Sequence, residues 1–73
     1  MTISCKAYGL IARLIGNNSE RVIIEYYNSH TGDVWKSLIP ASKAESYRRP
    51  GPNYGFSKIG FQDMVNDDLA GLL

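Results

Sequence analysis

The stretch from Glu20 to Ile39 constrains the fold more than any other. It reads Glu-Arg-Val-Ile-Ile-Glu-Tyr-Tyr-Asn, then Ser-His-Thr-Gly, then Asp-Val-Trp-Lys-Ser-Leu-Ile. Two runs rich in β-branched and aromatic residues flank four small or polar residues that include a glycine. This pattern predicts a β-hairpin with a four-residue loop. In the first run Val22, Ile24 and Tyr26 share one face, and Arg21, Ile23, Glu25 and Tyr27 share the other. The former is the better core face. In the second run Trp35 and Ile39 are expected to point inward, because the opposite choice would bury Lys36.

The rest of the chain has to pack on this hairpin. Thr2 to Ile15 begins with alternation, placing Ile3, Cys5 and Ala7 on one face. After Gly9 both parities become apolar. A strand with a bend or bulge at Gly9 accounts for this, and a short helix over 7–14 competes with it. Gly16-Asn17-Asn18-Ser19 supplies a turn. Pro40 ends the last strand. Ser42 and Glu45 have the spacing of a capping box, which predicts a short helix to about Arg48. Pro50-Gly51-Pro52 stops it. From Gly60 to Leu73 the residues Phe61, Met64, Val65, Leu69 and Leu72 recur at three- and four-residue spacing, an apolar helical stripe. Asp67 and Asp68 oppose the macrodipole near its C-terminal end, and Gly71 weakens it. The expected fold is α+β: a small three-stranded antiparallel β-meander, one short helix and a marginal C-terminal helix. Residues 1–73 form one domain. Its ordered core covers about 2–60, and 61–73 either docks on the sheet or stays frayed until a partner receives it.

A chain of 73 residues has a core worth only about 3–5 kcal/mol net. Cys5 is the sole cysteine, so no internal disulfide helps, and it reads as a small buried hydrophobe. The formal net charge of +1 hides an uneven distribution. Residues 36–58 carry Lys36, Lys43, Arg48, Arg49 and Lys58 against Glu45, whereas 59–73 carry Asp63, Asp67 and Asp68 with no cationic side chain. Met1 is not followed by a basic segment and an apolar core. No apolar run approaches the roughly 18–20 residues of a bilayer span. A cytoplasmic chain without membrane contact is expected.

The residues hold little catalytic material. His30 is the only histidine and falls at the hairpin tip, without a neighbouring acid and nucleophile. One histidine and one cysteine do not make a zinc site. No spaced carboxylate loop suits calcium, and no phosphate-binding loop is present. The chain therefore reads as a non-enzyme without metal or cofactor.

Binding fits better. From Tyr47 to Lys58 the chain reads Tyr-Arg-Arg-Pro-Gly-Pro-Asn-Tyr-Gly-Phe-Ser-Lys. Tyr47, Arg48, Arg49, Tyr54, Phe56 and Lys58 suit a protein interface, where arginine and tyrosine are favoured anchors. The same mixture suits single-stranded nucleic acid. Alternatively, Tyr54 and Phe56 fold back over the core. Ile23 and Tyr27, outward on the hairpin, form a second candidate contact patch.

In size and character, with a hairpin, an arginine–tyrosine loop and no catalytic residues, the chain resembles the small transcription regulators of lytic phages, of the Xanthomonas phage type. That resemblance implies binding to host bacterial RNA polymerase, inhibition of initiation and antitermination. It further implies action in the host cytoplasm, with the basic segment around Arg48 and Arg49 near emerging RNA or an acidic polymerase surface; a monomer is expected. It assigns no residue a role. A phage inhibitor of another bacterial machine, such as a CRISPR effector, shares this chemistry. A small module acting directly on nucleic acid is the third reading.

Overall fold

A computed structural model describes residues 3–48 and 56–72. Four strands, β1 (Ser4–Ala7), β2 (Leu10–Asn17), β3 (Arg21–Tyr27) and β4 (Val34–Pro40), form one antiparallel sheet in chain order. A short helix α1 (Ala41–Ala44) continues into a 3-10 turn (Glu45–Tyr47), and a longer helix α2 (Lys58–Leu72) follows. The fold is α+β, with four strands where the sequence suggested three.

The additional strand arises at Tyr8-Gly9. Both residues have positive φ, 52° and 76°. This two-residue turn returns the chain on itself and pairs Ala7 with Leu10. Its paired left-handed residues match the right-handed twist of the flanking strands. The apolar residues of both parities after Gly9 have another cause than a bend. Ala12 and Leu14 are buried, whereas Ile11 and Ile15 are exposed on the opposite face. The bulge lies further on, between Leu14 and Gly16. β2 runs through Asn17, so the turn begins at Asn18, two residues later than the expected Gly16. The Asn18 Oδ1 accepts from the amides of Glu20 and Arg21 at 2.8 and 2.9 Å.

The hairpin forms as expected. Val22 opposes Ile39, Ile24 opposes Ser37 and Tyr26 opposes Trp35. At its tip Gly32 adopts φ 80°, and its amide donates to the Asn28 carbonyl at 2.8 Å. Ile39 is buried, but Trp35 remains 37% exposed. Trp35 sits at the tip end of an edge strand, and among the described residues no strand lies beyond it. Its ring tilts against that of Tyr26, centroids 5.7 Å apart.

The capping box does not form. The helix begins at Ala41, whose amide donates to the Glu20 carbonyl at 3.0 Å. Pro40 precedes it in extended conformation, and no side chain caps this end. Ser42 therefore falls inside the first turn. A serine cap appears instead at α2, where Ser57 Oγ accepts from the Gly60 amide at 3.1 Å. The Ser57 carbonyl accepts the first helical bond, from Phe61 at 2.9 Å.

The core lies between one sheet face and the helices. It gathers Ile3, Cys5, Ala12, Leu14, Val22, Ile24, Tyr26 and Ile39 from the strands. Ala44, Phe56, Phe61, Met64, Val65 and Leu69 join them from the other layer. α2 is thus docked, not frayed, and it begins two residues before the expected start. Leu72 departs from the expected stripe and is exposed. Asp67 and Asp68, unfavourable for an isolated helix, serve the docked one. Asp68 Oδ2 accepts from the Tyr26 hydroxyl and Asp67 Oδ2 from the Tyr47 hydroxyl, each at 2.6 Å. No helix among the described residues is long and apolar enough to cross a membrane.

Candidate functional site

The described buried member of one set of expected contact residues, Phe56, and the pair Ile23 and Tyr27 of the other lie on opposite sides of the sheet. Phe56 belongs to the core side. It is fully buried among the core residues, so it is not a contact residue on the surface. Its apolar ring fills the space between the sheet and α2. The Arg48 guanidinium lies 4.9 Å from the Phe56 ring centroid and donates to Asn17 Oδ1 at 2.9 Å. Arg48 is therefore half-buried and occupied with structure. Tyr47 packs against the core and holds Asp67. That hydrogen bond, with some burial, raises its phenol above the ordinary value. Lys58 is exposed at the start of α2. It lines a shallow groove of about 420 Å³ with Ser4, Cys5, Lys6, Ile11 and Gln62. Arg49 and Tyr54 lie outside the described residues.

Ile23 and Tyr27 are on the other face, as the alternation of β3 predicts, and this face is the better surface. Its composition follows from register. One cross-strand row runs Ile11, Tyr27, Val34. The next runs Arg13, Glu25, Lys36. The third runs Gly16, Ile23, Leu38, with Ile15 of the bulge beside it. Two apolar rows thus flank a charged one. Within that charged row Arg13 Nη2 donates to Glu25 Oε1 at 2.9 Å. Ile23 settles over Gly16, where an added Cβ would stand 3.1 Å from Ile23 Cδ1. That contact explains why Ile23 is only partly exposed. Tyr27, Val34, Leu38, Ile11 and Ile15 each keep more than a third of their surface open.

The signal for this face was present in the sequence as the double-parity apolar run of β2. Only its explanation was missing. A half-buried antiparallel strand usually alternates apolar and polar residues. A strand apolar on both faces either lies between two layers or leaves one apolar face outward. The second case holds here among the described residues.

The Cys5 thiol is raised above its ordinary value by burial, opposed in part by Lys58. A raised thiol is a poorer nucleophile source at neutral pH. His30 is exposed at the hairpin tip. Among the described residues no three His, Cys, Asp or Glu side chains group to hold a metal. Comparison with known proteins found no matching family model, no matching curated protein and no matching solved structure.

Proposed function

We propose that this chain is a phage-type regulatory protein that acts by capturing a bacterial protein machine, without chemistry of its own. The outer sheet face is the capturing surface. The observation that carries this reading is the pair of outward apolar rows, Ile11–Tyr27–Val34 and Ile23–Leu38 with Ile15 beside it, all well exposed but for the partly exposed Ile23. A core this small can scarcely spare such side chains, and contiguous exposed apolar patches mark interaction sites. The face favours a protein over a nucleic acid. Among the described strand residues of this face the large apolar groups are mostly aliphatic and Tyr27 is the one ring, whereas stacking on bases needs aromatic platforms. The Arg48 guanidinium, expected near RNA, already engages Asn17 and Phe56.

Host RNA polymerase in the bacterial cytoplasm is the first partner to test, given the resemblance in size and character to phage regulators. The proposed effect is inhibition of initiation with antitermination. In a transcription assay with purified bacterial polymerase, excess protein should reduce initiation and let elongation pass a terminator. Ile23→Glu combined with Tyr27→Ala should weaken capture by about tenfold or more, the scale of interface hot spots. Circular dichroism would show that the variant still folds. Normal initiation and termination with the protein in excess would reject the polymerase. Capture that is unaffected by the paired substitution would reject the face.

A further inference from the structure

The sheet has two edges, and they differ. On β1 the Leu14 amide donates to the Ile3 carbonyl at 3.0 Å. With the β1–β2 register, this bond makes Cys5 and Ala7 the residues that bond to β2. Ser4 and Lys6 then direct their backbone groups outward. The Lys6 carbonyl accepts from Gln62 Nε2 at 3.1 Å, so α2 covers part of that edge. On β4 the phase is fixed at both ends. The Asn28 amide donates to the Asp33 carbonyl at 2.9 Å, and the Ala41 amide to the Glu20 carbonyl at 3.0 Å. Trp35, Ser37 and Ile39 therefore bond to β3. Val34, Lys36 and Leu38 direct both amide and carbonyl away from the sheet. Among the described residues nothing covers these groups. Pro40, which lacks an N–H, closes the row.

The same three residues place their side chains on the outer face. Val34 and Leu38 are each 55% exposed. Lys36 stands between them. Its cross-strand neighbour Glu25 is engaged by Arg13, and among the described residues no carboxylate pairs with Lys36. The edge thus presents a ladder of free backbone groups with an apolar, cationic, apolar sequence of side chains.

We infer that β4 receives an extended segment of the partner protein, bearing an acidic side chain with apolar residues two positions to either side. The acid pairs with Lys36, the apolar residues cover Val34 and Leu38, and the backbones add a fifth strand. Alternation puts these three side chains on one face of the incoming strand in either direction. A second copy of this chain fits poorly. The self-pairing that uses all three open residues sets two Lys36 ammonium groups directly opposite each other, and like charges there destabilise the pair. Sliding by two residues relieves the clash but shortens the ladder.

This inference rests on the reading that the chain works by capturing a protein, and its test is separable from that reading. The probe is a short capped peptide with glutamate at its centre, valine two residues to either side and threonine elsewhere. It is titrated into the full isotope-labelled chain and followed by nuclear magnetic resonance. The amides of Val34, Lys36 and Leu38 should shift and gain protection from hydrogen exchange. The glutamate peptide should bind roughly two- to fivefold more tightly than its lysine counterpart, the range of cross-strand charge pairs. Lys36→Glu should reverse that preference. Shifts confined elsewhere, no shift at millimolar peptide, or equal binding of both peptides would overturn the inference. So would protection of these amides on raising protein concentration alone, which would assign the edge to a second copy. Peptide addition without polymerase capture removes the polymerase and leaves the edge. Capture sensitive to Ile23 with unprotected β4 amides does the reverse.

Discussion

Tyr26 ties the two layers of the molecule together through a single hydroxyl. Its ring is fully buried in the sheet's inner face, and its hydroxyl donates to Asp68 on α2. Burial first, then the hydrogen bond to Asp68, raises the phenol far above its ordinary value near 10. The folded chain therefore keeps Tyr26 protonated where the unfolded chain does not. The resulting stability is complete below about pH 10 and is lost as pH rises further, because the unfolded state then binds fewer protons. Tyr47 acts in the same direction through Asp67. Urea titrations across this range should show stability falling above about pH 10, with a shallower fall in Tyr26→Phe. At neutral pH that variant should lose about 1.5–3 kcal/mol, the value of a hydrogen bond to a charged group.

Two elements owe their limits to residues of opposite legibility. The hairpin was legible because β-branched alternation and a glycine-bearing loop are local signals. The stripe of α2 was legible for the same reason, and Phe61, Met64, Val65 and Leu69 are all buried. Tyr8-Gly9 was not, because a tyrosine at positive φ contradicts its own preference, and pairing on both sides must hold it there. Ser42 had the better cap spacing, yet Ser57 is the cap. The Ala41 amide bonds to distant Glu20, and only tertiary structure reveals that bond. The docking of α2 was equally hidden, since Asp67 and Asp68 are unfavourable until Tyr47 and Tyr26 meet them. Of the candidate contact residues, β3 alternation placed Ile23 and Tyr27 outward, whereas nothing local separated buried Phe56 from exposed Lys58. Ser57→Ala should lower stability by about 1 kcal/mol in chemical denaturation, with α2 the first region to lose hydrogen-exchange protection. Ser42→Ala should change little.

At the scale of the whole molecule the margin is narrow. Phe56 fills the space between sheet and helix, and truncating such a ring removes roughly 3–5 kcal/mol. That is about all a domain of this size holds. Phe56→Ala should therefore be unfolded at room temperature by circular dichroism. Its loss of binding would then report on folding and not on an interface.

The strand order also schedules assembly. Every strand pairs with its sequence neighbour, so each hairpin closes over a short loop and loses little chain entropy. The contact of Gln62 with Lys6 links residues 56 apart in the chain. It joins the last element to the first strand and forms only after both exist. Substitutions in the hairpins should then act chiefly on the rate of folding and those on α2 on the rate of unfolding, which stopped-flow kinetics of both sets would check. A protease should accordingly enter this molecule through α2, the element that this late contact ties to the first strand, and limited proteolysis would show the first cut there.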